Sequence, residues 1–334
     1  MREVAEAAGV AMSSVSRVLS GHPDVSPVMR ERVLATVEEL GYKPNLLAQS
    51  LRRQETLSVG FVVRDISNPL MSEIVKAAET RLREAGYSML LTNSESEPDL
   101  DAAHIHLFEQ RRVDGLILSL TSETHAETNR LLEQLDVPCV VVDRDLPPAV
   151  RVSRVLYDHQ AGMRAAVGYL LDLGHRRIGL VIGAPVRPSR ERRRALEIEF
   201  AERGLAKTYR IVDVGEFAAE PGERAVAGLL DSAEPPTAII VGSNQMLPGA
   251  LRAIAGRGLE LPRELSLVTC DDTILAELYR PPIAVVKRDN FEIGRIAAEV
   301  LIGRLQGEDV PRDVYLTTEF LARESCAPPR EGER

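Results

Sequence analysis

Residues 2–51 read REVAEAAGVAMSSVSRVLSGHPDVSPVMRERVLATVEELGYKPNLLAQSL. Val4, Ala5 and Ala8 recur at helical spacing until Gly9 breaks the pattern. A second short run, Met12 to Leu19, places Val15, Val18 and Leu19 on one face. Two short helices joined by a tight glycine-containing turn make the helix-turn-helix unit, whose second helix enters the major groove of DNA. The rest of that second run carries Met12, Ser13, Ser14, Ser16 and Arg17, short polar groups and one long arginine suited to base edges and phosphates. Ser26-Pro27 opens a third helix, with serine as N-cap and proline at the first helical position. It is expected to bury Val33, Val37 and Leu40 and to stop at Gly41. A three-helix packing module without DNA contact would leave the polar face unexplained.

Working outward, Pro44 punctuates a junction in which Asn45 to Leu51 spans barely two helical turns. Such a helix is marginal alone, because nucleation is costly and few bonds offset it. From Thr56 the rhythm changes to short apolar runs alternating with amphipathic helices. Leu57–Val63, Ser88–Leu91, Leu116–Ser119 and Cys139–Val142 read as buried strands, followed by Val152–Leu156, Ile178–Ile182, Ile211–Val214, Ala238–Val241 and Ser266–Thr269. Helical periods fill the intervals, as in Pro69–Ala85, Gly162–Leu173 and Glu191–Arg203. The alternation predicts an α/β body of two similar subdomains with parallel sheets covered on both faces, behind a small all-helical head. Ligands in such folds bind where the strands end, here in a cleft between the subdomains.

The chain of 334 residues is long enough for two or three domains, and with 44% hydrophobic residues it can bury sizeable cores. A net charge of −9 at first argues against nucleic acid. Residues 1–53, however, hold seven Lys/Arg against six Asp/Glu, a charge of +1, which leaves −10 on the remainder. So weakly basic a head needs dimerisation for affinity. Cys139, Cys270 and Cys326 lie far apart with no CxxC pair and read as apolar fillers in a reducing compartment. With no signal peptide and no apolar run of membrane-spanning length, a soluble, cytoplasmic protein without membrane contact is expected.

Enzymatic readings find little support. There is no GxGxxG after the first strand, no GxxxxGK[ST] and no GxSxG. His104 and His106 lie two apart on a predicted helix, hence on different faces, and read as solvated rather than metal-binding. Asp271-Asp272 follows a buried strand and reads as accepting from a neighbour or a ligand hydroxyl in preference to holding a cation. Arg190-Glu191-Arg192-Arg193-Arg194 reads as a solvated helix start with one arginine turned inward. No cofactor, metal or catalytic set is expected.

The pieces VAEAAGV, VSRVLSG, VSP, RERVLATVEELGYKPN and LAQSLR closely resemble the start of LacI-type bacterial transcription regulators. RDISNPL, RRVDGLIL, LGHRRIGLVIG, PTAIIVGSNQM, GALRAI, LSLVTCDDT, RPPIAVVKRD and FEIGRIAAEVL continue the likeness through the body. The resemblance implies a helix-turn-helix domain at 1–44, a hinge helix and linker at 45–56, and an effector-binding and dimerisation domain at 57–330. That domain is similar to periplasmic sugar-binding proteins, with three crossovers. They divide it into 57–156 plus 284–312 and 157–283 plus 313–328. In this family the hinge helix folds on the operator and wedges a leucine into the minor groove, a role that falls on Leu51 with Asn45 beside it.

Carried over in the same way, effector contacts fall on Arg192, Asp271, Ser243, Asn244, Arg288 and Leu70. Ser243 and Asn244 stand where the family often has Asn-Asp, and Arg288 where glutamine is common. Leu70 and Met71 replace an aromatic pair, and the chain has no Trp, so a sugar-stacking platform is weaker. Ala11 replaces a Ser or Thr cap on the recognition helix, and the first helix starts at Met1-Arg2 as though a few residues preceded it. The tail lacks a leucine heptad, so a homodimer is expected. The implied function is a repressor that binds a palindromic DNA operator and responds to a small-molecule effector, a neutral sugar or an acid or phosphate derivative. A solute-binding protein and an α/β enzyme using the same cleft are the alternatives.

Overall fold

The structure, a computed structural model, describes residues 1–19, 22–42 and 55–330. The expected hinge, with Asn45 and Leu51, lies outside the described residues. Contacts divide the chain into two units, Met1–Thr56 and Leu57–Arg334, and each is taken by itself.

In the first unit, α1 (Arg2–Ala7), α2 (Met12–Leu19) and α3 (Pro27–Glu39) surround Val4, Ala5, Ala8, Val15, Val18 and Val33. Gly9 takes φ +64° where α1 turns back, and Val10 N–H closes that turn onto the Ala5 carbonyl at 3.0 Å. Ser26 caps α3 as expected, its hydroxyl accepting from Met29 N–H at 3.3 Å. One expectation fails. Leu40 is 48% exposed, and the helix instead buries Thr36, which satisfies its hydroxyl on the Arg32 carbonyl at 3.0 Å. Leu40 is already the C-cap residue, one position past the helix, so its side chain has left the buried stripe.

The second unit holds two sheets. The first runs β11-β5-β4-β3-β1-β2 and the second β12-β10-β9-β8-β6-β7, with strands β1 (Ser58–Val63), β2 (Ser88–Asn93), β3 (Gly115–Leu118), β4 (Cys139–Val142), β5 (Ser153–Asp158), β6 (Ile178–Ile182), β7 (Arg210–Asp213), β8 (Ala238–Val241), β9 (Ser266–Cys270), β10 (Ala284–Lys287), β11 (Asp313–Thr317) and β12 (Glu319–Leu321). The pairings are parallel except β10 with β12. Both sheets therefore share the doubly wound order 2-1-3-4-5, which places ligands beside the first strand's carboxyl end.

Alternate residues of each strand supply opposite cores. Ile240 packs with α7 (His159–Asp172) and α8 (Arg187–Glu202), whereas Ile239 and Val241 pack with α9 (Ala219–Leu230) and α10 (Leu247–Ala255). On the first sheet, α4 (Pro69–Glu84) and α12 (Asn290–Leu305) cover one face, and α5 (Pro98–Gln110) and α6 (Ala126–Glu133) the other. Gly294 lets α12 approach α4 closely, since a Cβ there would stand 2.2 Å from the Ile74 carbonyl oxygen. Each fully buried Phe, Ile or Leu in these layers contributes about 1.5–3 kcal/mol.

Two expectations about the body change. Ser88–Leu91 is not a buried strand: β2 lies at the sheet edge with Leu90 38% and Leu91 42% exposed. The subdomain boundaries also shift. Ala284–Lys287, expected in the first subdomain, pairs with β9 in the second sheet; Asp313–Thr317, expected in the second, pairs along β5 in the first. Strand pairing decides this, because β10 joins β9 to β12 and β11 closes the edge beside β5. The chain thus crosses between lobes at 158–159, 288–289 and 318. These crossings are tied together: Thr318 Oγ1 donates to the Asp158 carbonyl at 2.7 Å, and the Tyr157 hydroxyl donates to the Asp289 carbonyl at 2.5 Å.

The C-terminal segment docks on the second lobe through His175. Its Nδ1 meets Thr237 Oγ1 at 2.8 Å, and its Nε2 meets the Ala327 carbonyl at 2.9 Å. Burial lowers its pKa to about 4. Among the described residues no helix is long and apolar enough to cross a membrane.

Candidate functional site

On the head, α2 buries Val15 and Val18 and turns Met12, Ser13 and Arg17 to solvent, with Ser14 and Ser16 partly covered. The sequence dictates this face, because two β-branched residues three apart are the helix's only deep anchors. Ala11 offers no side-chain oxygen, and its carbonyl takes the first bonds, from Ser14 and Val15 N–H at 2.9 and 3.2 Å.

In the body, the strand ends of the two lobes face each other around a cavity of about 40 Å³. Arg64 follows β1, Asp143 and Arg144 follow β4, Ser243 and Asn244 follow β8, and Asp271 follows β9; Arg192 reaches in from α8 and Arg288 from a crossover. Arg288 carries the centre. Its Nε lies 2.7 Å from Asp271 Oδ1, its Nη1 3.0 Å from Asp143 Oδ2, and its guanidinium stands 5.3 Å over the Tyr157 ring. Arg192 donates to the Gly242 carbonyl at 2.5 Å and comes within 4.0 Å of Asp271. Asn244 donates to Asn68 Oδ1 at 3.0 Å across the lobes, and Asn68 caps α4 through the same oxygen, accepting from Leu70 N–H at 3.2 Å. Ser243 is turned to its own loop, accepting from Gln245 N–H at 3.2 Å.

Asp143 and Asp271 adopt φ +54° and +73°, left-handed backbone that costs about 1 kcal/mol for a residue with a Cβ. Each lobe therefore aims one carboxylate at the cavity from an equivalent strand end. Burial pushes the Asp143 carboxyl up, but His159, Arg288 and Arg144 outweigh it and hold the group below the usual carboxylate range. Burial lowers His159 in turn, against the pull of Asp143, both of whose oxygens stand 3.0 Å from its Nε2.

At the cavity rim the lobes are latched by charge. Arg187 and Arg190 of α8 meet Asp145 at 3.0 and 2.9 Å, and Arg190 donates to the buried Glu123 at 2.5 Å. Part of the arginine-rich run 190–194 is therefore an inter-lobe seam as well as a helix face, while Arg192 is its inward member. Asp272 turns away from the cavity to Arg323 at 2.7 Å, so the Asp271-Asp272 pair is split. His106 pairs with Glu109 and Gln110 on a solvated face.

Comparison with known proteins bears on both regions. Residues 1–45 match the profile of bacterial regulatory proteins, lacI family, and residues 167–326 that of a periplasmic binding protein-like domain. The chain is 31% identical over 316 residues to catabolite control protein A of Priestia megaterium, covering 93% of this chain and 94% of that protein. The chain belongs to the LacI family. This regulator is also 30% identical to the HTH-type transcriptional repressor CytR of Escherichia coli, over 93% of its own length and 91% of that protein's. Among solved structures it is similar to the lac repressor dimer bound to operator and the anti-inducer ONPF, with a TM-score of 0.86, 28% identity and coverage of 97% and 98%. The transcriptional regulator CelR–cellobiose complex matches with a TM-score of 0.73 and 30% identity, again over 97% and 98%. The fold of a helical DNA-binding head before a two-lobed α/β body is that of the family, and the protein is a DNA-binding transcription regulator.

Of the residues marked in the sequence, Arg192, Asp271, Ser243, Asn244 and Arg288 meet at the inner cavity. Leu70 does not. It is buried in the first core and borders a wider outer groove, while Met71, its neighbour, lines the cavity. Arg64, Asp143 and Arg144 were not marked. Arg64 and Asp143 directly follow the buried apolar strands β1 and β4, with Arg144 one residue further, and a charged residue in that position was the available signal.

Proposed function

We propose that this regulator is a homodimeric cytoplasmic repressor whose hold on a palindromic DNA operator is set by a small-molecule effector bound between the lobes. Residues 1–44 serve as the DNA head, 45–56 as the hinge, and 57–330 as the effector and dimerisation body. Met12, Ser13, Ser14, Ser16 and Arg17 read the major groove, with Asn45 and Leu51 acting in the minor groove. The observation that supports the DNA role is the face of α2, which buries Val15 and Val18 in the head's core and presents Met12, Ser13 and Arg17 to solvent. For the effector role it is the cavity, where Arg192 and Asp271 of one lobe meet Asp143 of the other through Arg288. A ligand shifts DNA binding only through different affinity for two body conformations, and groups that converge only when lobes close supply that difference. The body acts as a sensor and not as an enzyme, in keeping with relatives that are transcription regulators.

Fluorescence anisotropy on a palindrome drawn from DNA beside the protein's own gene tests the reading. The expected result is specific binding, far tighter than to random DNA at equal salt, and altered by one metabolite of a panel. Equal affinity for both DNAs would overturn the repressor reading, and would leave a solute-binding role to be sought.

A further inference from the structure

We infer that the inter-lobe cavity takes a small dianion, an organic acid with two carboxylates or a phosphate ester, in place of a neutral sugar. The inference rests on the cavity being the effector site. Its ionisable wall consists of Arg64, Arg144, Arg192, Arg288, Asp143 and Asp271, an excess of two positive charges. Arg64, Arg144 and Arg192 are buried, and Arg288 is only 11% exposed. Buried charge is tolerated when it is paired and hydrogen-bonded, and here the pairing is incomplete. The Nε–H groups of Arg64, Arg144 and Arg192 have no acceptor.

The surrounding carboxylates lie outside the wall and leave its donors unpaired. Glu123 and Asp145 are shared with Arg190 and Arg187, while Asp65, bonded to Gln245 and Ser67, and the buried Asp101, bonded to Thr121, lend Arg64 and Arg144 part of a counter-charge without accepting from their Nε–H groups. His159 stands behind Asp143, 3.0 Å from its carboxylate and outside the cavity wall, and brings no negative charge. Burial, with Arg144 next, lowers Arg64 to about 10, the response of a cation short of counter-charge. Planar guanidinium forks match carboxylate and phosphate oxygens two at a time, and three of the forks still hold a free donor. Space agrees with the charge: a cavity near 40 Å³ admits roughly three waters, or one phosphate- or carboxylate-sized group, before the lobes part. The orphaned Asn244 Oδ1 in the same wall can accept from a ligand hydroxyl, which suits a hydroxylated acid.

Thermal melting and calorimetric titration of the full chain at constant ionic strength provide the test, with D-glucarate, malate, glucose 6-phosphate and D-glucose as probes. At least one dianion is expected to raise the melting temperature by several degrees and glucose to leave it unchanged. The glucarate and malate arms against the glucose 6-phosphate arm separate carboxylate from phosphate. Arg64→Met and Arg144→Met are expected to weaken the responding dianion by about tenfold or more. Each is also expected to melt higher than the parent without ligand, where a merely structural arginine would melt lower. Glucose acting as strongly as the dianions, no response to any of the three dianions, or arginine variants that respond as the parent does would overturn the inference. Operator anisotropy on the same samples separates this failure from failure of the repressor reading: a regulator that binds its operator and responds to glucose keeps the function and loses the dianion.

Discussion

On α2 the side chains offered to a partner stand in solvent, whereas in the cleft the arginines offered to a ligand are buried in the protein itself. The two arrangements divide the energetics differently. An exposed recognition face costs the free protein almost nothing, and what it contributes is decided by the partner. A buried excess of charge destabilises the free protein, a cost that the anion inferred for the cavity would relieve on arrival. At the exposed Met12 and Ser13 the head is therefore expected to register substitutions mainly once DNA is added, and the cleft to register its own at once.

The sharpest way to break this contrast is Asp143→Asn, which keeps a residue tolerant of left-handed backbone and removes one of the two counter-charges of Arg288. Urea unfolding of the body is expected to lose about 3–5 kcal/mol. Glu6→Gln, which breaks the exposed Arg2–Glu6 pair on the head, is expected to leave its melting unchanged. Equal effects at the two positions would show the cleft charges to be solvated.

A smaller effect separates burial from charge excess. His175 is buried but fully partnered, and burial, with Arg176 adding to it, lowers its pKa from 6.5 to about 4. The unfolded chain takes up this proton first, so stability is complete above about pH 6.5 and declines as pH falls toward 4. The expected loss is about 3 kcal/mol. His175→Gln removes that part of the slope, measured as the difference in melting temperature between variant and parent across the window; parallel curves would exclude His175 as its origin.

The head's own test comes last. Arg17→Ala is expected to weaken operator binding by about 1–3 kcal/mol if Arg17 reads a guanine, with random DNA affected much less. Losses of equal size on both DNAs would make it a phosphate contact.

The contrast also explains what was legible in the sequence. Val4, Val15, Val18 and Val33 lie close together in the chain, so helical spacing alone exposes the polar face of α2. The strand-helix alternation of the body was equally visible. Arg64, Asp143 and Arg144 were not, because only the parallel stacking of β1 and β4 within one sheet, and its facing of β8 and β9 in the other, brings them to one cavity. Leu70 and Met71 illustrate the same limit: adjacent residues on a helix point about 100° apart, and α4's orientation turned Met71 to the cavity and Leu70 to the core. The boundaries near 284 and 313 were misplaced because an apolar four- or five-residue run announces a strand without announcing which sheet receives it.

The crossings at 158–159, 288–289 and 318 have a mechanical consequence. Three chain passages cross from lobe to lobe, and the Thr318–Asp158 and Tyr157–Asp289 hydrogen bonds rivet them into a row. A row of straps fixed to one another bends readily about the line that joins them and resists twisting or sliding, much as a piano hinge constrains a lid. Lobe motion is thereby reduced to a single angle. Whatever force a guest exerts on the opposed strand ends is delivered along that angle and is not dissipated in shear.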